Sequence, residues 1–97
     1  MATQKETSKV RTPIKKWLES EGWRVWKNAA SAFSESGLSD LMALKDGKFI
    51  CIETKLPGEK ATAMQERFLR QMSESGAFIA IVACSVDDVK RAIRCSM

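Results

Sequence analysis

The stretch that decides the fold is DLMALKDGKFICIETK, which runs from Asp40 to Lys55. Two apolar segments, residues 40–45 and 48–55, flank the dipeptide Asp46-Gly47. This dipeptide favours a two-residue hairpin turn, so the segments are predicted to form two antiparallel strands.

The second strand of this hairpin carries apolar residues on both faces and charged residues at its end. Alternation places Glu53 and Lys55 on one face and Thr54 on the other. The strand is therefore predicted to lie inside the sheet and to leave the core at Glu53. An isolated Glu-x-Lys pattern is more often a solvated strand end than a functional site, so it carries little weight by itself.

Asp40 gives the pattern more weight. It lies six residues before Asp46, and Glu53 lies six residues after Gly47. A two-residue hairpin would place the two carboxylates directly opposite each other on one face, where they repel unless a cation lies between them. Oxygen ligands of this kind suit Mg²⁺ or Mn²⁺. The alternative is a salt bridge between Asp40 and Lys55.

The remaining patterns extend the hairpin to one α/β domain over residues 1–97, in the order α-β-β-β-α-β-α. Residues 77–84 are uniformly apolar and predict a strand buried on both faces. Pro13 leaves two alternatives for the first helix, which either continues through the proline or begins at Thr12. The other predicted elements are a helix over about 4–21, a strand over 23–27, a surface loop over 28–37, and helices over about 61–75 and 85–94.

Composition excludes several classes of protein. The chain has no histidine, which removes Ser/His and Cys/His catalytic sites and the usual zinc sites. No apolar run approaches the roughly 20 residues that span a bilayer, and the N-terminus lacks a secretory signal. Its three cysteines form no Cys-x-x-Cys pair, and Cys51 and Cys84 are expected to act as small buried apolar residues. The prediction is an intracellular, cytoplasmic protein without disulfides.

Positive charge is concentrated at the N-terminus. Residues 1–28 hold seven Lys and Arg against three Glu, which accounts for the whole net charge of +4. Such a segment suits an anionic partner such as nucleic acid, although a basic helix face is often merely solvated. The candidate nucleic-acid contacts are Lys9, Lys15, Lys16 and Lys27.

Two further polar residues fall close to apolar helix faces. Gln65 lies within the apolar stripe of the 61–75 helix, where it either faces a polar pocket or closes a capping box with Thr62. Glu6 lies near the edge of the first helix's apolar stripe if that helix continues through Pro13. There it would join a metal site or act as a favourable charge at the helix start.

The combined motifs resemble the VRR-NUC family, a branch of the PD-(D/E)XK nucleases with a restriction-endonuclease-like core. The resemblance covers essentially the whole chain. One departure is Ser39, which stands where members of the family commonly have a Pro before the aspartate that corresponds to Asp40. The motifs that carry it are Gly37-x-x-Asp40, Ile52-Glu53-Thr54-Lys55-x-Pro57-Gly58, Thr62-x-x-Gln65 and Gly76.

The resemblance implies roles for individual residues. Asp40, Glu53 and the backbone carbonyl of Thr54 would bind Mg²⁺ or Mn²⁺, and Glu6 would be a further contributor. Lys55 would orient the attacking water and the scissile phosphate, and Gln65 would line the site.

At the level of the whole protein, the resemblance implies a stand-alone nuclease that cuts branched DNA such as Holliday junctions as a homodimer. The alternative is a nucleic-acid-binding module of the same fold without catalysis.

Overall fold

The computed structural model describes residues 4–28 and 40–96, and side chains from residue 8 onward within this part. Three helices and four strands follow the predicted order. They are α1 (Gln4–Ser20), β1 (Arg24–Lys27), β2 (Leu41–Lys45), β3 (Lys48–Thr54), α2 (Ala63–Glu74), β4 (Ile79–Ala83) and α3 (Val86–Ser96).

The strands form one mixed sheet in the order β1-β2-β3-β4. The pairs β1–β2 and β2–β3 are antiparallel, and β3–β4 is parallel. Asp46 and Gly47 form the turn between β2 and β3, with φ angles of 50° and 79°. Left-handed backbone at both turn positions matches the twist of the two strands, which explains the choice of Asp-Gly here. The predicted mixed α/β fold is confirmed.

The main core lies between one face of the sheet and the helices α1 and α3. Val10, Ile14 and Leu18 lie on one side of α1 and are buried against the sheet. Val89 of α3 and the strand residues Leu41, Ala43, Ile50, Ile52 and Ile79 complete this core. On the opposite face, α2 contacts β3 and β4 and buries Leu69. Both faces of β3 are therefore covered, as predicted for an interior strand.

Helix α1 continues through Pro13, which resolves the alternatives left open by the sequence. Pro13 is exposed, while Val10 before it and Ile14 after it are buried in the core. Burial on both sides of the proline holds the helix together despite the missing backbone donor. The predicted condition for placing Glu6 on α1 is therefore met.

Three sequence predictions differ from the structure or lie outside it. The prediction that the strand of residues 77–84 is buried on both faces holds only in part: Ile79 and Ala83 are buried and helices contact β4, but Val82 is 37% exposed. Several elements are also shorter than predicted by one or two residues at an end, and the last helix extends two residues further than predicted. Of the predicted surface loop 28–37, residues 29–37 lie outside the described residues.

Two further observations bear on location and redox chemistry. None of the helices in the described part of the chain is long and apolar enough to cross a membrane. Cys51 is buried, Cys84 is partly buried and Cys95 is exposed, and no disulfide joins any two of them.

Candidate active site

The hairpin brings Asp40 and Glu53 together at the end of β2 and β3 that is far from the turn. Leu41 pairs with Ile52, so the next pair in the same register is Asp40 and Glu53, as counted from the sequence. The carbonyl of Asp40 also accepts a hydrogen bond of 2.9 Å from the amide of Asn28, which fixes Asp40 at the end of β1. Backbone pairing on both sides thus positions this carboxylate.

The Asp40 carboxylate has two partners from different elements. Arg11 of α1 approaches with its Nη1 atom 3.4 Å from Oδ2 and 3.5 Å from Oδ1. The hydroxyl of Thr54 donates a hydrogen bond to Oδ2. The side chains of Arg11 and Asp40 are only 12% and 15% exposed, so this ion pair is largely shielded from water.

The Glu53 carboxylate is more deeply buried and less completely paired. Its Oε2 atom accepts a hydrogen bond of 3.2 Å from Nε2 of Gln65 and lies 3.9 Å from Nζ of Lys55. Its Oε1 atom is buried without a hydrogen-bond partner among the described residues. A buried, unpaired carboxylate oxygen is costly, so it marks a position where a further ligand would be favourable.

The environment of Glu53 raises its pKa from 4.5 to about 7. Burial makes the largest contribution because it disfavours the charged form, and the nearby Asp40 charge adds to it. Lys55 and the backbone amide of Asp40 lower the pKa, but by less. The protein therefore holds a carboxyl group that is readily protonated near neutral pH beside one that is paired with arginine.

Gln65 satisfies both interpretations that the sequence left open. Its backbone amide donates to the Thr62 hydroxyl, and its Oε1 accepts from the Thr62 amide at 2.9 Å, which completes the capping box of α2. Its Nε2 remains available and donates to Glu53. One side-chain amide therefore fixes the start of α2 and supports the buried carboxylate.

Lys55 follows β3 directly, and its amide donates a hydrogen bond of 3.0 Å to the carbonyl of Ala83 on β4. Its side chain is 18% exposed and points to Glu53. The alternative predicted from the sequence, a salt bridge between Asp40 and Lys55, is not what the structure has. Arg11 pairs with Asp40, and Lys55 pairs with Glu53.

Arg11 is the residue that the sequence analysis missed, because it was counted only as part of the basic segment. In helical projection at about 100° per residue, it lies at the edge of the buried stripe, about 20° beyond Leu18. A charged residue at the edge of this stripe can reach polar groups at the end of the sheet on which the helix packs. That position, together with the two opposed carboxylates, could have indicated it.

The described side chains supply some, but not all, of the ligands that a hard divalent cation would need. Asp40 and Glu53 offer carboxylate oxygens, and magnesium usually takes only one or two of these from a protein. Within the described side chains there is no group of three or more His, Cys, Asp or Glu that could hold a metal ion. The predicted contributor Glu6 lies in α1, but its side chain is outside the described ones.

The four predicted nucleic-acid contacts are not placed on one face. Lys9 and Lys16 are exposed and lie on the same side of α1, two turns apart. Lys15 pairs instead with Glu19 at 3.5 Å. Lys27 is exposed at the end of β1 near Asp40, since it pairs with Leu41.

Comparison with known proteins places this geometry in a family. A solved structure described as a VRR_NUC domain matches with a TM-score of 0.74 and 26% sequence identity, covering 91% of this chain and 94% of that chain. No curated protein gives a significant match. Residues 2–83 match the family model for the archaeal Holliday junction resolvase, Hjc. The predicted resemblance to VRR-NUC and PD-(D/E)XK nucleases is confirmed, and the chain belongs to the archaeal Holliday junction resolvase family of nucleases.

Proposed function

We propose that this protein is a metal-dependent endonuclease that hydrolyses phosphodiester bonds in branched DNA, with four-way junctions as its main substrate. The observation that carries the proposal is Glu53, a buried carboxylate with one unpaired oxygen beside Asp40 and Lys55. The family name points to the Holliday junction as the DNA structure. A protein that only binds DNA has no need of a buried, incompletely paired carboxylate at this place.

The residues present fit a divalent metal ion. Asp40, Glu53 and the backbone carbonyl of Thr54 would hold Mg²⁺ or Mn²⁺, with Glu6 as an additional carboxylate. The unpaired Oε1 atom of Glu53 and the raised pKa of this residue support this assignment, since a bound cation would stabilise the ionised form. When bound, such an ion supplies an activated water and stabilises negative charge on the phosphate.

The remaining site residues would orient the reacting groups. The Lys55 ammonium, which has three donors, would hold the attacking water and a phosphate oxygen. Gln65 would keep the Glu53 carboxylate in place through its Nε2 hydrogen bond. Lys27 and the α1 lysines Lys9, Lys15 and Lys16 would contact phosphates along the DNA backbone, which gives affinity without sequence preference.

We further propose that the protein acts as a homodimer. Resolving a four-way junction requires a cut in each of two strands, and the site proposed here, with Asp40 and Glu53, would make one cut at a time. Two copies would supply the two sites, arranged by a twofold axis that matches the symmetry of the junction.

The proposal is tested by cleavage of four-way, flap and linear DNA with Mn²⁺ or Mg²⁺. Wild type should cut the four-way junction, whereas Glu53→Gln and Lys55→Ala should lose at least about 100-fold in rate. The first removes a proposed metal ligand, and the second removes the group proposed to hold the attacking water and the phosphate. Glu74→Gln is the matched control, since it makes the same change at an exposed position in the last turn of α2.

Two results would overturn the proposal. If wild type binds junctions but cuts none of these substrates with either metal, the protein is a binding module of the same fold. If Glu53→Gln and Lys55→Ala cut as fast as Glu74→Gln, catalysis resides elsewhere.

A further inference from the structure

Asp40, one of the two proposed metal ligands, is already paired with a cation from the protein. Arg11 reaches it from α1 and contacts both carboxylate oxygens through the single atom Nη1. Val10 is buried beside it and Ile14 one turn further on, so the helix backbone that carries Arg11 is fixed against the sheet. The Arg11 side chain can therefore leave Asp40 without movement of the helix.

We propose that Arg11 is the cation that a metal ion must displace from Asp40, and that it thereby sets the metal affinity of the site. This inference rests on the proposed function, in which Asp40 and Glu53 hold the metal. It assigns to Arg11 a role as a positioning and competing group rather than as a catalytic residue.

The geometry of the contact supports displacement. Charge-assisted hydrogen bonds between a guanidinium and a carboxylate are usually about 2.7–2.9 Å and often use two nitrogens in parallel. Here both distances are longer, 3.4 and 3.5 Å, and one nitrogen serves both oxygens. The contact neutralises the Asp40 charge but is not a bidentate ion pair, so a divalent cation can displace it.

The charge balance supports the same conclusion. In the structure, Arg11 compensates Asp40 and Lys55 compensates Glu53, so these four side chains are neutral together. A divalent ion added with Arg11 still in contact would lie close to two protein cations in a largely shielded site. Moving the guanidinium away from Asp40 relieves this repulsion and frees carboxylate lone pairs for the metal.

The test is calorimetric titration of Mn²⁺ into the DNA-free protein at pH 8. Arg11→Met keeps most of the stem volume and removes the charge. It should bind Mn²⁺ at least about tenfold more tightly than wild type, because the metal then binds Asp40 without first breaking its largely shielded ion pair with Arg11, and about 1.4 kcal/mol corresponds to tenfold in affinity.

Three comparisons control this experiment. Arg11→Lys retains a positive charge and should lie between wild type and Arg11→Met. Arg94→Met removes one positive charge from an exposed position in the last turn of α3 and should leave Mn²⁺ affinity within about twofold of wild type, because exposed charges are screened by salt. Arg11→Met should also unfold at a lower temperature than wild type in EDTA, since Asp40 then has no cation partner.

The outcomes separate this inference from the proposed function. If wild type binds Mn²⁺ and Arg11→Met binds it equally or more weakly, the role of Arg11 is wrong while the metal site stands. Binding by neither protein would overturn both. Binding by Arg11→Met alone would support the inference strongly. If Arg11→Met does not fold, Arg11→Gln replaces it in the same comparison.

Discussion

At the scale of the residue, Glu53 is the position where the stability of the fold and the proposed function favour different side chains. Its side chain is buried with one oxygen unpaired, next to a second carboxylate. A core chosen for stability alone would place an apolar residue or an amide there. Retaining the carboxylate costs the folded state free energy whenever Glu53 is ionised without a metal.

This cost predicts how the stability of the metal-free protein depends on pH. The pKa of Glu53 is about 7 when folded and near 4.5 when unfolded, so the folded state holds its proton more tightly. The contribution of Glu53 to the free energy of unfolding is then highest below about pH 4.5 and falls as pH rises to about 7, by up to about 3 kcal/mol. Urea denaturation in EDTA between pH 5 and pH 8 measures this change.

Glu53→Gln provides the control for the pH experiment, because the amide has the same shape and does not titrate. Its stability should change less than that of wild type over the same interval. If both proteins show the same pH profile, the unfavourable ionisation of Glu53 is not the cause.

Residue positions were predictable from the sequence where they follow from local geometry, and not where they depend on packing between elements. The hairpin register that counting from the turn predicts is the one the structure has from Leu41 to Lys48, so Asp40 and Glu53 lie at neighbouring strand ends. The capping role of Gln65 is likewise local. Arg11 reaches Asp40 across 29 residues of sequence, so only the docking of α1 on the sheet reveals that pair.

At the scale of the element, the turn of the β2–β3 hairpin sets the register of the two strands that carry Asp40 and Glu53 at their far ends. Glu53 lies five residues beyond the start of β3, about 17 Å from the turn at the usual rise per residue. Both turn residues are left-handed, and this selects the register that opposes Asp40 and Glu53. A change at the turn is therefore expected to matter at a distance.

Gly47→Val tests the turn. A Cβ at this position would have no atom within 4 Å, so the effect comes from the left-handed backbone with a φ of 79° and not from a clash. We expect a loss of roughly 1–2 kcal/mol in the free energy of unfolding, because a β-branched residue disfavours this conformation. Chemical denaturation in EDTA measures it.

Gly47→Asn is the matched variant, since asparagine tolerates left-handed backbone and should lose less than half as much stability. Equal losses in the two variants would mean that the backbone conformation of the turn is not the reason for glycine.

Element types and order were predictable because hydrophobic period, Asp-Gly and the capping box are local signals. The position of β4 in the sheet was not predictable, because an apolar run such as residues 77–84 does not show whether another strand pairs with its second side. Val82 is consequently exposed where a buried residue was expected. The continuation of α1 through Pro13 was likewise decided by burial of Val10 and Ile14.

At the scale of the whole molecule, the proposed site lies at one end of the sheet and draws on four elements. Asp40 precedes β2, Glu53 is the last but one residue of β3, Gln65 lies in the first turn of α2 and Arg11 comes from α1. Because one copy contributes one such site, the proposed two-strand cleavage requires two copies acting on the same junction.

The homodimer proposal predicts a specific result when active and inactive proteins are mixed. On a supercoiled plasmid with an extruded cruciform, wild type should give linear DNA through paired cuts. Mixing it with excess Glu53→Gln should convert the product to nicked circles, because mixed dimers hold one active site. Sedimentation velocity on wild type should show a dimer at micromolar concentration. The proposal would be contradicted if the mixture still gave linear DNA, at a rate reduced only in proportion to the fraction of wild-type protein, and if wild type sedimented as a monomer.

Gln65 both caps α2 and binds Glu53, so backbone amides at the start of α2 can be used to follow changes at the site. The amide protons of Thr62 and Gln65 are held by the same side chains that close the capping box. Since Nε2 of the same Gln65 side chain donates to Glu53, we expect a ligand that moves Glu53 to change the hydrogen bonds of the first turn of α2. The exchange rates of these two backbone protons with solvent are therefore expected to change when the site is occupied, without any DNA being cut.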